Sequence, residues 1–196
     1  MLLGSVFLHS NCKKGNKDVC KEDTSLYAIS AYEKTAFYGN GRDTLSFVNT
    51  TTLDTLVFYG NGFNTTWNDF TAYPIEDNRT CNLYYKLEVY WVKYYERKTK
   101  ETITLSAYYG PFREYPGAIH FNIKYKDVGY STSISTVLSA NPGRDTVTYQ
   151  GKIITAVTAW SYYNVPVGGY LAKYSKDFGV IRMQLSNNQY LEKISN

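Results

Sequence analysis

From about Ser25 onward, apolar and polar residues alternate in short runs that are separated by turn signals. A two-residue period is typical of β-strands, whose side chains point alternately to opposite faces, whereas an α-helix repeats every 3.6 residues. The pattern therefore predicts an all-β chain, with an antiparallel sheet arranged as a sandwich or as a curved half-barrel.

The clearest hairpin is predicted between Leu83 and Tyr109. The apolar side chains of its first strand share one face, at Leu83, Tyr85, Leu87, Val89 and Trp91. Lys86 and Glu88 take the opposite face. A polar run at 96–101 turns the chain, and the second strand is predicted to bury Ile103, Leu105 and Ala107. Alternation returns at 119–125, and two further strands are predicted between Val147 and Trp160, around a turn at 150–152.

The same five residues occur twice, as Phe37-Tyr38-Gly39-Asn40-Gly41 and as Phe58-Tyr59-Gly60-Asn61-Gly62. Each copy contains Asn-Gly, which is a strong hairpin signal because both residues tolerate positive φ. The repeat predicts two similar turns. A duplicated β-unit is the less favoured alternative, because a repeat protein needs three or more units.

With 196 residues, the chain is long enough for one sizeable core. We expect a signal segment at 1–11, a flexible tether at 12–24 and a single β domain at 25–196. The net charge of +4 is spread along the chain in ones and twos, so no nucleic-acid partner is predicted.

The chain contains 21 tyrosines. Tyrosine combines strand propensity with a hydroxyl that can stay in water, which indicates sheets with large exposed faces. Two aromatic clusters could form a stacking platform for a sugar ring or a peptide, although most such clusters belong to a core or a plain sheet surface. The predicted platform consists of Trp91, Tyr94, Trp160, Tyr162 and Tyr163.

The N-terminus carries a short apolar run, Leu2 to Leu8, that is too short to span a bilayer and is followed by Cys12. This arrangement resembles the end of a bacterial lipoprotein signal, with Leu8, Ser10 and Cys12 at the matching positions. Asn11 and the lack of a basic residue before the apolar run depart from that pattern. The Cys-Lys-Lys-Gly continuation is similar to secreted lipoproteins of Bacteroidota-type bacteria. The resemblance implies a palmitate-type lipid anchor on Cys12, and a free thiol on a plain N-terminus is the alternative.

If Cys12 is acylated, Cys20 and Cys81 remain as a pair that could form a disulfide in an oxidising compartment. Whether they pair stays open. The spacing of the cysteines does not suit a metal, and His120 is the single histidine of the expected mature domain, so we predict neither a metal site nor a cofactor.

The C-terminal quarter is the most recognisable part, with Val147 to Lys152, Val157 and Tyr170 to Arg182. It resembles the closing segment of many secreted bacterial lipoproteins of unknown function. Some proteins with this ending fold as a curved sheet whose concave side holds acyl chains. The resemblance thus implies a carrier of a hydrophobic ligand as one function. The matching segment contains no residues that could be named as its binding site.

The sequence contains no catalytic constellation that we can name. There is no Gly-x-Ser-x-Gly elbow, His120 lies within a predicted strand, and no spacing makes two carboxylates converge. We therefore expect a membrane-tethered lipoprotein of the cell envelope, with a binding or structural role and no catalysis. The alternatives are the hydrophobic carrier, carbohydrate or peptide binding through exposed aromatics and, with least support, an enzyme.

Overall fold

The computed structural model describes residues 24–72, 83–111, 116–141, 145–161, 170–186 and 188–194. The strands are β1 (Thr24–Tyr27), β2 (Thr44–Asn49), β3 (Thr55–Ala72), β4 (Leu83–Glu96), β5 (Thr102–Pro111), β6 (Pro116–Tyr125), β7 (Val128–Ser133), β8 (Thr146–Tyr149), β9 (Lys152–Thr155), β10 (Val157–Ser161), β11 (Leu171–Ser175), β12 (Gly179–Ser186) and β13 (Gln189–Lys193). Two short helices are α1 (Ala31–Lys34) and α2 (Ile134–Leu138).

Eleven of the strands form one sheet in the order β1-β4-β3-β2-β13-β12-β11-β10-β7-β6-β5, and β4 also pairs with β5. That last pairing closes ten strands into a barrel, in which every neighbouring pair is antiparallel. β1 lies outside the ring and pairs with β4 in parallel, while β8 and β9 form a separate hairpin. The predicted all-β antiparallel class is confirmed, and the sheet curves far enough to close.

Closure depends on the length of β4. One edge of β4 pairs with β3 over nearly its whole length, from Leu83 to Glu96. The other edge is shared, because Tyr84 to Leu87 pair with β1 and Val89 to Tyr95 pair with β5. A single strand thus joins the two ends of the sheet, and closure leaves the barrel strands without free edges along these stretches.

Large side chains fill the barrel. Residues with no measurable exposure come from strands all around the ring: Phe47, Phe58, Tyr94, Phe121, Tyr130, Tyr174, Met183 and Leu191. The rings of Phe121 on β6 and Tyr174 on β11 lie 4.6 Å apart between centroids, although two strands separate β6 from β11 in the sheet. The interior is therefore a packed hydrophobic core.

The segment between β1 and β2 contributes to that core. Phe37 is buried, and its ring lies 5.0 to 5.6 Å from those of Phe63, Tyr90 and Phe121. α1 precedes it and begins with a capping box, in which Ser30 and Glu33 each bond the other's backbone N–H.

The carboxylate of Glu88 holds α1 against the barrel. Glu88 Oε2 accepts a hydrogen bond from the backbone N–H of Ile29 at 2.7 Å. Its Oε1 accepts from Lys34 Nζ at 2.6 Å and from the Thr65 hydroxyl at 3.3 Å. Only 3% of Glu88 is exposed, so these partners compensate the loss of water around a buried charge.

The predicted faces are confirmed for β5 and β6, whose inward side chains include Ile103, Leu105, Phe121 and Ile123. The predicted face of β4 is wrong inside the barrel, where Tyr90, Val92 and Tyr94 point inward and Glu88 is buried as well. β4 extends beyond the barrel, and there the predicted face does hold. Tyr85 and Leu87 are buried in a small outer cluster with Tyr27 and Phe70. Each end of the strand buries a different face, which a single alternation cannot indicate.

The two copies of the five-residue repeat lie side by side. The first copy is a turn before β2, with positive φ at Gly39 and Gly41. The second is not the predicted turn, since it continues through β3 with a register shift between Gly60 and Phe63. The N–H of Gly62 donates to the carbonyl of Gly41 at 2.8 Å. A Cβ at Gly60 would lie 2.1 Å from that same carbonyl oxygen, so only glycine permits this contact.

The C-terminal predictions agree in part. The turn at Gln150 and Gly151 joins β8 and β9 as expected, and β10 follows as a third strand. Gly179 has a φ of +75° where the chain enters β12, and a Cβ there would lie 3.0 Å from the Tyr38 ring. The two short helices are additions that strand alternation did not predict.

Replacing Glu88 with alanine should lower the free energy of unfolding by about 2–4 kcal/mol, because it leaves the Ile29 N–H and Lys34 without their acceptor. Glu192→Ala is the matched control. Its half-exposed carboxylate pairs with Arg182 at 3.1 Å, and its loss should cost less than about 1 kcal/mol. Urea titrations of both variants measure the difference. Equal losses would contradict the anchoring role of Glu88.

Candidate ligand-binding surface

The structure separates the residues of the predicted aromatic platform. Trp91 and Trp160 lie on the outer face of the barrel, and 56% of Trp160 is exposed. Tyr94 is wrong as a platform residue, because it shares the inward face of β4 with Val92 and has no exposed surface. Tyr162 and Tyr163 lie outside the described residues.

The strand registers bring Trp91 and Trp160 into one row across five strands. Trp91 is opposite Ser106, Ser106 opposite Asn122, Asn122 opposite Ser131, and Ser131 opposite Trp160. We refer to these five residues as the outer row. Four interstrand spacings of about 4.8 Å place its two tryptophans roughly 19 Å apart along the curved surface. The sequence predicted two separate aromatic clusters, and the structure places their tryptophans at the two ends of one row.

The centre of the outer row contains an unsatisfied amide. Asn122 is on the outward face of β6, since its neighbours Phe121 and Ile123 point into the core. Only 3% of Asn122 is exposed, and among the described residues neither its Nδ2 nor its Oδ1 has a hydrogen-bond partner. A buried amide without partners costs about 1–3 kcal/mol. The site therefore has hydrogen-bonding capacity that the described protein groups leave unused.

The adjacent rows on both sides of the outer row carry further polar and aromatic groups. On one side His120 pairs with Tyr108, and their rings stack with centroids 5.9 Å apart. On the other side Lys93 is opposite Thr104, which is opposite Lys124. These three rows contain no carboxylate among the paired residues of β4 to β7. The surface thus combines indole rings, hydroxyls, an amide and two ammonium groups.

His120 is the only conventional general base of the expected mature domain, and its ring packs against neighbouring residues on this face. Its ring stacks on Tyr108, and a Cβ at Gly110 would lie 2.6 Å from His120 Nε2. Because glycine has no side chain, Gly110 leaves the space that the His120 imidazole occupies. Across the described ranges, no group of three or more His, Cys, Asp and Glu side chains is arranged to hold a metal ion.

Several predicted residues lie outside the described part of the chain: Cys12, Cys20, Cys81 and the signal segment 1–11. Lipidation of Cys12 and a disulfide between Cys20 and Cys81 stay predictions. Neither α1 nor α2, the helices of the described part, has the length and apolar character needed to cross a membrane.

Comparison of the chain with protein-family models, with curated protein sequences and with solved structures finds no match. Arguments about function therefore start from the geometry of the barrel surface.

The two buried tyrosines Tyr94 and Tyr174 differ in how their hydroxyls are satisfied. Burial raises the pKa of both phenols, so both stay protonated. The Tyr174 hydroxyl donates to the Ala36 carbonyl at 3.0 Å and accepts from the Tyr38 N–H at 2.8 Å. The Tyr94 hydroxyl has no hydrogen-bond partner within the described part of the chain.

Tyr94→Phe should therefore leave the free energy of unfolding unchanged or raise it by up to about 1 kcal/mol, since it removes an unsatisfied hydroxyl. Tyr174→Phe removes the same atom from the same residue type, and it should cost about 1–3 kcal/mol because two backbone groups lose their partner. Urea titration of the two variants tests this. A clear loss of stability in Tyr94→Phe would show that Tyr94 has a polar role in the core.

Proposed function

We propose that this protein is a membrane-tethered lipoprotein of the cell envelope that binds a glycan, without catalysis, on the outer face of its barrel. The outer row carries the proposal. It offers two indole rings on the first and last of five neighbouring strands and, between them, two serine hydroxyls and an amide without a described partner.

These groups suit a chain of sugars. The faces of sugar rings carry apolar C–H groups that pack on aromatic rings, while their hydroxyls need donors and acceptors. Trp91 and Trp160 supply the aromatic surface. The Asn122 amide, which is only 3% exposed, supplies a donor and an acceptor once neighbouring side chains move aside for the ligand. A roughly 19 Å separation of the tryptophans favours an extended ligand over a single small molecule.

The other binding alternatives have less support. A hydrophobic carrier needs an open apolar cavity, whereas side chains such as Phe121, Tyr130 and Tyr174 occupy the barrel interior in the described part of the chain. An extended peptide commonly adds to a free sheet edge. The outer row runs across strands that are paired on both sides, so it offers side chains rather than backbone groups.

Binding can be measured by native affinity electrophoresis in gels containing dextran, yeast mannan, arabinoxylan or mixed-linkage β-glucan. At least one polysaccharide should retard the protein, and Trp160→Ala should weaken that retardation at least tenfold. Trp67→Ala is the control, because this tryptophan is 45% exposed but lies on β3, away from the outer row. No retardation by any of the four, or equal effects of both variants, would count against the proposal.

Asn122→Ala provides a second readout in the same assay. If the amide serves a ligand, the variant should bind the polysaccharide more weakly and yet unfold at a higher urea concentration, because an unsatisfied buried amide is gone. An asparagine with a purely structural role would show lower stability when removed.

The tether is tested separately by growing cells with an alkyne analogue of palmitate. The full-length chain should incorporate the label, and Cys12→Ala should lose it. Cys20→Ala is the control and should keep the label, since the expected acylation site is Cys12 alone. Labelling of Cys12→Ala at the level of the unchanged protein would refute the anchor on Cys12.

A further inference from the structure

A second concave surface lies on the outside of β2 and β3, away from the outer row. It is an open cleft of about 540 Å³, lined by Tyr38, Asp43, Thr44, Ser46 and Tyr59. We call it the tyrosine cleft. The cleft is shallow and mostly open to solvent.

The five-residue repeat explains why the cleft exists. Tyr38 is the tyrosine of the first copy, and Tyr59 is the tyrosine of the second. The backbone bonds between the two copies, from Gly62 to Gly41 and from Gly60 to Asp43, hold these equivalent tyrosines at one site. The repeat therefore does not make two turns. It supplies two aromatic side chains to the same cleft.

Two polar groups in the cleft have unused hydrogen-bonding capacity. Asp43 Oδ2 accepts from the Asn40 N–H at 3.0 Å, and among the described residues Asp43 Oδ1 has no hydrogen-bond partner. Ser46 is 92% buried, at 8% exposure, yet it lines the cleft and its hydroxyl bonds to none of the described groups. A hydroxyl that lines a cleft and bonds to none of the described groups is free to donate to and accept from a ligand.

Charges around the cleft restrict what that partner is. The Arg97 guanidinium lies 4.6 Å from the centroid of the Tyr59 ring, and Lys193 Nζ lies 4.8 Å from that of Tyr38. Cations already occupy positions over both rings, which disfavours a cationic ligand. The Asp43 carboxylate disfavours an anion, and the hydroxyls of the floor disfavour an acyl chain.

The Tyr38 phenol adds a donor. Burial, and to a lesser extent the Asp43 carboxylate, raise the pKa of Tyr38, so its hydroxyl stays protonated at neutral pH. Aromatic rings, a carboxylate and hydroxyls in one open cleft match the mixed apolar and polar surface of an uncharged sugar ring.

We propose that the tyrosine cleft binds a single neutral pyranose, which contacts the exposed part of the Tyr59 ring and hydrogen-bonds to Asp43 Oδ1 and to the hydroxyls of Ser46 and Tyr38. This site is separate from the outer row. Tyr59 is paired with Tyr95 on β4, and Tyr95 is four residues from Trp91, which corresponds to roughly 13 Å along the strand. The two sites can therefore be tested independently.

The experiment is a titration of the ¹⁵N-labelled protein, from Lys13 onward, with D-glucose, D-galactose, D-mannose and N-acetyl-D-glucosamine, followed by amide chemical shifts. At least one sugar should shift the amides of Tyr38, Asp43 and Ser46. Ser46→Ala should weaken that binding at least tenfold without loss of stability, because its hydroxyl has no protein partner.

Asp43→Asn should weaken it similarly, and Asp54→Asn, an exposed aspartate of the β2–β3 turn, is the matched control that should have no effect. Absence of shifts with all four sugars would overturn the proposal, as would shifts confined to the outer row. Tighter binding of D-glucosamine or D-glucuronate than of the neutral sugars would overturn the assigned charge class. Trp160→Ala should leave the monosaccharide shifts unchanged, which separates this outcome from the polysaccharide assay.

Discussion

The pairing of β4 along both edges is the constraint on which the rest of the structure depends. Because β4 bonds to β3 on one side and to β5 on the other, the sheet becomes a ring of ten strands. A barrel of about eight strands is just wide enough for its own side chains to fill. A wider ring needs larger side chains or additional chain inside it. Both are present here, as buried tyrosines and phenylalanines and as the inserted Phe37.

Because the wide barrel must be filled by large side chains, many tyrosines are buried, whereas the composition suggested that they lie on exposed faces. Tyrosine content indicated exposed sheet faces, yet Tyr94, Tyr130 and Tyr174 are fully buried. A buried phenol needs a partner for its hydroxyl. Tyr130 donates to the carbonyl of Gln184, and Tyr174 bonds to the segment that carries Phe37. The hydroxyls of Tyr130 and Tyr174 thus link the interior side chains to the backbone of other elements, whereas the Tyr94 hydroxyl bonds to none of the described groups.

How far the sequence could predict the fold follows from the same constraint. Alternation identified the all-β class, the strands around 83–109 and 119–125, and the inward face of β5, where one face is apolar and the other polar. It failed in β4, because aromatic residues occupy both faces and only the pairing of neighbours decides which face is inside. It also missed closure. The pairing of β4 with β5 is the hairpin that alternation predicted, but the ring also needs β13 to pair with β2 at the other end of the chain, and that pairing leaves no local signal.

The sequence indicated single residues of the candidate surfaces but not how the fold arranges them. Trp91 and Trp160 stood out as single residues, but the row that contains both requires the register of five strands. Asn122 gave no signal at all, since a polar residue between Phe121 and Ile123 is what alternation expects. Its missing partners become apparent only when its neighbours across the sheet are known to be small serines.

The distribution of exposed aromatics connects the two surfaces physically. A chain that buries tyrosines throughout its core also leaves Tyr59, Tyr95 and Trp160 exposed on the outside of the same barrel. Tyr59 and Tyr95 are direct neighbours across β3 and β4, and Tyr95 shares the outward face of β4 with Trp91. Exposed aromatic surface is costly to keep in contact with water, and contiguous patches of it usually mark sites of interaction. The Arg97 guanidinium lies 4.6 Å from the centroid of the Tyr59 ring and Lys100 Nζ lies 5.8 Å from that of Tyr95, so this aromatic patch carries positive charge beside its apolar surface.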